Sequence, residues 1–544
     1  MGFLDPVAPP YDPLEWEKKP FAEKSRLACG AWALQGYGTP LPVYALYGVK
    51  LLLYAWGWLF FCGFTPGMGG LRSIASWWLL PVAFQKAILW SMLFEILGLG
   101  CGSGPLTGRY LPPLGGFLYF LRPGTTKLPL FPRLPILGGV RRSWLDVLLY
   151  AAVLVLLVRV LIAPAIGAGH LIPIAALIAV LSIADKTLFL VARGEHYWTT
   201  LMVFVLSTDF IPGAKAVQAA LWFWAGFSKL NHHFPSVVCV MTSNSPFTRF
   251  AWLRKLMYRR YPDDLSPSRL AVIAHGGTAL EFAVPALLLA GDGGAVTIAG
   301  LVLMVALHAF ITSNVPMGVP IEWNLMMVYG GFFLFWKHAS ASLLSMPLPL
   351  AAFLAVMLVG VPLAGNLWPA RVSFLLAMRY YAGNWACSIW LFKGESYRKL
   401  DKLTKASPWV ADQIERIYDH RTAIALLSKV MAFRLMHLHG RALAMLLPKA
   451  VDRPEDHQWV DGEIVAGLVL GWNFGEGHLH QEQLLSAVQE QCAFEEGELR
   501  CIFLESQPLL RSTLHYRIAD AKAGRLDEGE VDVTRLRQVQ PWSA

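Results

Sequence analysis

The stretch from Asp185 to Phe234 places Asp185, Lys186, His196, Asp209 and Lys229 within or beside apolar runs. Ionisable groups at bilayer depth are costly and face a protein-lined or wet cavity, so each is a candidate for function. A lysine and a histidine sharing such a cavity can do proton chemistry, because burial favours the uncharged amine. Lys229 closes the run LWFWAGFSKL, where Trp222, Phe223, Trp224 and Phe227 would desolvate its amine and offer faces to a flat ring. His308 lies deep in LVLMVALHAFITSN, and Glu281 (ALEFAVP) and Glu322 (PIEWN) place carboxylates where a partner or a proton is required. Each has a structural role beside the chemical one. Lys229 would serve as a snorkelling anchor, His196 as an interfacial ring beside Tyr197 and Trp198, and His308 as a core histidine.

The elements that must position these groups are membrane helices. Of 544 residues 55% are hydrophobic and 15% charged, against roughly 25% charged in soluble proteins. Apolar runs occur at 42–64, 77–99, 145–162, 171–192, 196–211, 214–229, 269–290, 295–312, 321–336 and 343–367. This pattern predicts an all-α polytopic helical bundle of about eight to ten spans, each of roughly 17–25 residues. The short, polar-interrupted runs are expected inside the bundle, away from lipid. The division expected is an N-terminal cytoplasmic segment 1–41, a transmembrane domain 42–370, a helical connector 371–453 and a small soluble domain 454–544. Apolar residues at helical spacing over 408–447 predict amphipathic helices. Beyond them, GEIVAGLVLGW reads as a buried strand, HQEQLLSAVQEQC as a helix, and LRCIFLES and LHYRIADAK as strands, an α/β or α+β appendage.

The connections 101–143 and 231–268 are rich in Lys and Arg, whereas 163–170 has neither. The positive-inside rule makes the basic ones cytoplasmic and places both termini there, in a multi-pass protein of the plasma membrane. The net charge of +9 suits anionic headgroups, and no basic run is interleaved with aromatics as in a nucleic-acid binder. The proline-rich, charged start lacks the apolar core of a cleavable signal. The seven cysteines form no CxxC pair, and no metal is expected. The histidines of FRLMHLHGR and GEGHLHQE read as solvated loop residues, and Lys86 and Glu95 as a pair within the bundle.

The order of these elements resembles the membrane core of the vitamin K-dependent γ-glutamyl carboxylase family and its bacterial relatives, over about residues 145–340. His196 leads an aromatic-rich span ending near Asp209, AGFSKL resembles the family's Ala-Gly-x-x-Lys-Leu element, and GTALEFAVPALLL its Glu-x-x-x-Pro span. LHAFITSNVPMGVP resembles its histidine-led span and Gly/Pro turn. The resemblance implies that Lys229 acts as base toward a reduced quinone of the menaquinone type, with His196 and His308 assisting. It also implies a pocket built from Trp222, Trp224, Phe227, Asp209, Glu281 and Glu322. Ser228 stands where the animal enzyme has a second lysine, and the peptide-docking portion is replaced by a different tail, so peptide carboxylation is not expected. Over its full length the chain is similar to an uncharacterised actinobacterial-type multipass membrane family.

The sequence leaves two functions open. One is a quinone- or lipid-linked membrane enzyme, which needs Lys229, His196 and His308 around one cavity. The other is a non-enzymatic lipid-handling or scaffold protein, embedded in membrane lipids, whose cytoplasmic tail recruits a protein partner. A transporter finds no paired broken helices in two related halves.

Overall fold

Ser143 starts the helix Trp144–Ile162 with a capping box: its hydroxyl accepts from Asp146 N while the Asp146 carboxylate accepts from Ser143 N. The body of this helix is almost wholly aliphatic, so nothing but helix satisfies the backbone in an apolar surround. The computed structural model describes residues 4–101, 104, 107–317, 320–380, 382–474, 477–479 and 481–543. Five helices there are long and apolar enough to cross a membrane: Leu41–Cys62, Trp144–Ile162, Arg269–Ala290, Ala295–Thr312 and Leu348–Leu367. A bent pair, Leu71–Trp77 and Pro81–Ile96, makes a sixth if the two form one broken span. Leu52, Val155, Ile273 and Val302 on these helices are exposed, as a lipid-facing surface requires.

This is fewer than the expected eight to ten. The run 171–192 is interrupted at Asp185, whose carboxylate caps the next short helix, Lys186–Val191, by accepting from Thr187 N. The run 196–211 becomes a wide π-turn over Gly194–Trp198 and an eight-residue helix, Thr199–Leu206. The run 321–336 is an eleven-residue helix, Ile321–Gly331, continued by another π-turn. The run 214–229 lies within Ile211–Ser228, a helix buried on nearly all sides at the bundle centre. Polar interruptions thus mark the interior helices, and continuous aliphatic runs mark the outer ones.

Strands appear in two places. A two-stranded ribbon in the basic connection pairs β1 Tyr258–Arg260 with β2 Asp264–Pro267. The tail is α+β, one of the two forms expected of it: β3 Cys387–Lys393, β4 His457–Asp461, β5 Leu499–Leu504, β6 Thr513–Asp520 and β7 Gly524–Asp532 form one antiparallel sheet in the order β4-β3-β5-β6-β7. The alternation in CSIWLFK sends Cys387, Ile389 and Leu391 to one face, under the helix Leu438–Ala450. Trp390 and Phe392 join the apolar core that continues into the bundle. The expected boundary at 453/454 therefore divides one sheet, because β3 comes from the supposed helical connector.

GEIVAGLVLGW is also not a strand but the helix Gly462–Leu470, capped by Asp461 and ended by Gly471 in the left-handed region. A short apolar run has no periodicity to separate strand from buried helix. This helix lies against the 101–143 connection: Arg109 Nη2 donates to Gly467 O at 2.7 Å and Tyr119 Oη to Leu468 O at 2.6 Å. A Cβ on Gly467 would meet Thr107 O at 1.9 Å, so this approach needs glycine. The N-terminal helix Phe21–Gln35 packs on His420–Leu435 and on Phe234–Asn244. Both basic connections and both terminal regions thereby meet on one side of the bundle.

Candidate functional site

The end of the helix Ile211–Ser228 builds the centre of the site. Lys229 is its C-cap, where the helix dipole favours a cation. Asn231 then turns the chain, its Oδ1 accepting from His233 N at 2.7 Å and Phe234 N at 3.0 Å. Gly226 admits the neighbouring helix Gly277–Ala290, since a Cβ there would sit 3.1 Å from Glu281 Cβ. Lys229 Nζ donates to Glu281 Oε1, and both side chains are buried. Pro285, one turn after Glu281, lacks the N–H that would bond the Glu281 carbonyl, which loosens the helix there.

His308, on Ala295–Thr312, completes this wall. Trp222 Nε1 donates to His308 Nε2 at 3.0 Å, and His308 Nδ1 donates to Asn324 Oδ1 at 2.7 Å. Lys229, Glu281, His308 and Trp222 line one closed cavity of about 30 Å³, with Arg193, Trp323 and Tyr380 on its other side. That volume holds a water molecule. His196 is not in the wall. It stands behind Trp323, whose Nε1 donates to His196 Nδ1 at 2.9 Å. Both imidazoles are therefore acceptors from indole donors, and both ring nitrogens of His308 are occupied.

The short helix Ile321–Gly331 organises the rest through three consecutive side chains. Asn324 faces His308, Trp323 faces His196, and Glu322 turns to a second cluster. There Lys50 Nζ lies 3.3 Å from Glu322 Oε2 and donates to Gly100 O at 2.9 Å. Cys101 Sγ lies 2.9 Å from Glu95 Oε1 and 3.6 Å from Glu322 Oε1, and Cys101 N donates to Glu95 Oε2 at 2.8 Å. Arg193 joins the two clusters. Its Nε donates to Glu195 Oε1 at 2.6 Å, its Nη1 to Cys101 Sγ at 3.2 Å, and its guanidinium lies between Trp323, Tyr380 and Phe474. Arg193 has a φ of 50°, a left-handed conformation costly for arginine, and opens the π-turn carrying Glu195 and His196. The surrounding ion pairs hold it there.

Glu95, Cys101 and Glu322 offer ligand atoms all within 4.8 Å of one another, the one metal-capable group among the described residues. Two carboxylates and a thiol suit a divalent cation by donor type, but Arg193 and Lys50 already neutralise them. Sequence reasoning missed this cluster by pairing Glu95 with Lys86, which instead donates to Phe61 O at 2.8 Å. Arg193 and Glu195 went unweighed, although ARGEH interrupts an apolar stretch with three titratable side chains in four residues.

Other expected site residues lie elsewhere. Asp209 sits exposed in the turn after Thr199–Leu206, its carbonyl accepting from Ser207 Oγ, because its segment is too short to bury it. Trp224 donates to Leu358 O at 2.7 Å and packs toward Leu348–Leu367. Phe227 lines a different, larger cavity. Asp185 pairs with Arg142, and Lys186 donates to His478 O at 3.1 Å, so both tie connections together. The Gly/Pro turn before Pro320 includes residues 318 and 319, outside the described residues, as is His480.

His437 and His439 are buried, not solvated: their Nδ1 atoms donate to Phe433 O at 2.8 Å and Gly383 O at 3.1 Å. Burial, followed by the Arg434 charge, pushes His437 down to about 3. Burial, followed by His233 and then Arg434, holds His439 well below the ordinary range.

A family model described as transmembrane protein of unknown function (DUF3556) matches residues 1–544. No curated protein and no solved structure matches the chain. The full-length likeness to an uncharacterised membrane family is thereby supported, and the carboxylase resemblance gains nothing from these comparisons.

Proposed function

Because this chain belongs to that family of transmembrane proteins, we propose from its geometry that it carries out proton chemistry on a lipid-soluble substrate, a quinol of the menaquinone type. The single observation carrying this reading is that Lys229, Glu281 and His308 share one enclosed cavity at the centre of the bundle. The resting pair is ammonium and carboxylate. Transfer of one proton from Nζ to Glu281 leaves an amine that accepts the hydroxyl proton of a quinol, and the resulting ammonium stabilises the quinolate. Asn324 and Trp222 occupy both nitrogens of His308, which suits it to orient the site, with His196 supporting Trp323 from behind. A quinone ring exceeds the cavity of about 30 Å³, so its entry requires Trp222 and Trp323 to part. The basic connections support a plasma-membrane protein with both terminal regions cytoplasmic.

The test compares wild type with Lys229→Arg, which keeps the charge but cannot act as a base. Reconstituted with menaquinol under dioxygen, the wild type is expected to oxidise it at least tenfold faster than the variant, at equal expression and insertion. Equal rates reject the base. Quinone or lipid that co-purifies with both proteins without turnover supports the second reading, a non-enzymatic lipid-handling protein. The closed, charge-paired cavity is the observation favouring that reading.

A further inference from the structure

A second cavity, of about 910 Å³, lies where the bundle meets the tail. Its walls come from the end of Ile211–Ser228, the start of Arg269–Ala290, the end of Leu348–Leu367 and the tail segments 507–512 and 533–537. Arg259, Arg379, Arg511 and Arg537 line it together with His232 and His275, and among the described residues that line it there is no Asp or Glu. Arg379 is 2% exposed, at the cavity base, while the other three arginines are exposed. Arg511 meets Glu530 at 3.8 Å, outside the lining and with both side chains open to solvent, a weak pairing. The same cavity exposes Leu230, Leu509 and Leu510, the last at 85%. Val272, also in the lining, begins an exposed apolar stripe that runs along the span through Ile273 and Leu280.

Guanidinium groups match phosphate oxygens in planar, paired hydrogen bonds and keep their charge at any physiological pH. Three exposed guanidiniums, those of Arg259, Arg511 and Arg537, on one cavity with no carboxylate among its described lining residues make a site for an anion. Position selects which anion. The ends of three helices meet here, two of them, Arg269–Ala290 and Leu348–Leu367, long and apolar enough to cross a membrane, and the leucines and the stripe from Val272 give an acyl chain an apolar path. A soluble anion has no use for that stripe. We infer that this cavity binds the phosphate headgroup of an anionic lipid, with the acyl chain laid along Leu230 and the exposed face of Arg269–Ala290. The inference is separate from the proton chemistry at Lys229 and does not need it.

The full-length protein in an uncharged detergent is titrated with dioctanoyl phosphatidic acid, dioctanoyl phosphatidylcholine and inorganic phosphate, with binding read by native mass spectrometry. Phosphatidic acid is expected to bind at least tenfold more tightly than either of the others. Arg511→Gln with Arg537→Gln, both exposed and so without cost to the fold, should weaken it at least tenfold. Lys522→Gln with Arg525→Gln, which removes two exposed charges elsewhere on the tail, should leave it unchanged. Arg379→Gln tests the base of the cavity, and the exposed pair decides the matter if that variant does not fold. Inorganic phosphate binding as tightly as phosphatidic acid would overturn the lipid assignment in favour of a soluble anion. Equal weakening by both double variants, or by neither, would reduce the effect to bulk charge or to unspecific annular lipid.

Discussion

The two cavities differ in how they treat charge. Around the closed cavity every cation has an acid: Lys229 has Glu281, Arg193 has Glu195 and Glu95, and, in the adjoining cluster, Lys50 has Glu322. Around the open cavity arginines gather with no acid among the lining residues. The interior arrangement minimises the field of charges that cannot reach water. The junction arrangement leaves a field for something else to neutralise. Inside the bundle each of these cations lies against an acid; at its edge the arginines of the cavity line it without one among the described lining residues.

The contrast breaks most visibly at Glu281. Glu281→Gln leaves the Lys229 ammonium buried without its anion, and losing one partner of a buried pair costs about 3–5 kcal/mol. Replacing both residues by Met should recover most of that loss. Chemical unfolding of the detergent-solubilised protein measures both, and a Gln variant as stable as wild type would mean that Lys229 is not charged in the fold.

A smaller, graded effect is expected from acid. His233 lies beside His439, ring centroids 4.8 Å apart, and burial pushes it down to about 4, its hydrogen bond to Gln507 Oε1 at 2.8 Å notwithstanding. His437 stands at about 3, and His439 is also held low. The unfolded chain takes up protons at these rings around pH 6.5, before the folded one does. Stability is therefore full above about pH 6.5 and falls as the pH drops toward 4 and 3. Thermal unfolding at pH 7.5, 5.5 and 4.5 should show midpoints falling in that order, and His233→Asn should flatten the trend.

The least effect is expected where ion pairs face water. Lys522 and Glu495 pair on the tail with both side chains more than half exposed. Lys522→Ala should leave the unfolding transition within scatter of the wild type in the same assay, because water and salt screen the pair. A loss as large as that of Glu281→Gln would remove the distinction between buried and solvated pairs.

Which polar residues are buried in the interior was more legible than where they stand. Lys229, Glu281, Glu322 and His308 stood out because a charge or imidazole within aliphatic sequence has few explanations. Their grouping was not legible, because it depends on Glu322, Trp323 and Asn324 pointing three ways from one helix start. Asp209 looked equivalent to Lys229 by composition, yet the helix before it ends at Leu206 and leaves Asp209 exposed in the following turn. Outer spans such as Trp144–Ile162 announce themselves by length and uniformity. Interior helices do not, since Ile211–Ser228 reads as an ordinary span while being enclosed by protein. GEIVAGLVLGW misled for the opposite reason: an apolar run with no polar face fits a strand or a helix equally, and only packing on the 101–143 connection decides it.

The contact between Phe21–Gln35 and His420–Leu435 has a consequence for biogenesis. Trp32 meets Phe433 with ring centroids 5.6 Å apart, and Arg421 reaches back to Asp12. The partner is synthesised long after the first helix emerges. At roughly 5–20 residues per second, about 400 residues of translation keep the amino-terminal helix waiting for roughly 20–80 s. During that interval the nascent chain must insert its spans while one face of Phe21–Gln35 stays uncovered. Synthesis of the helix His420–Leu435 is then the event that covers this face, and a chain stopped short of residue 435 reaches the bilayer without the contact that holds Phe21–Gln35.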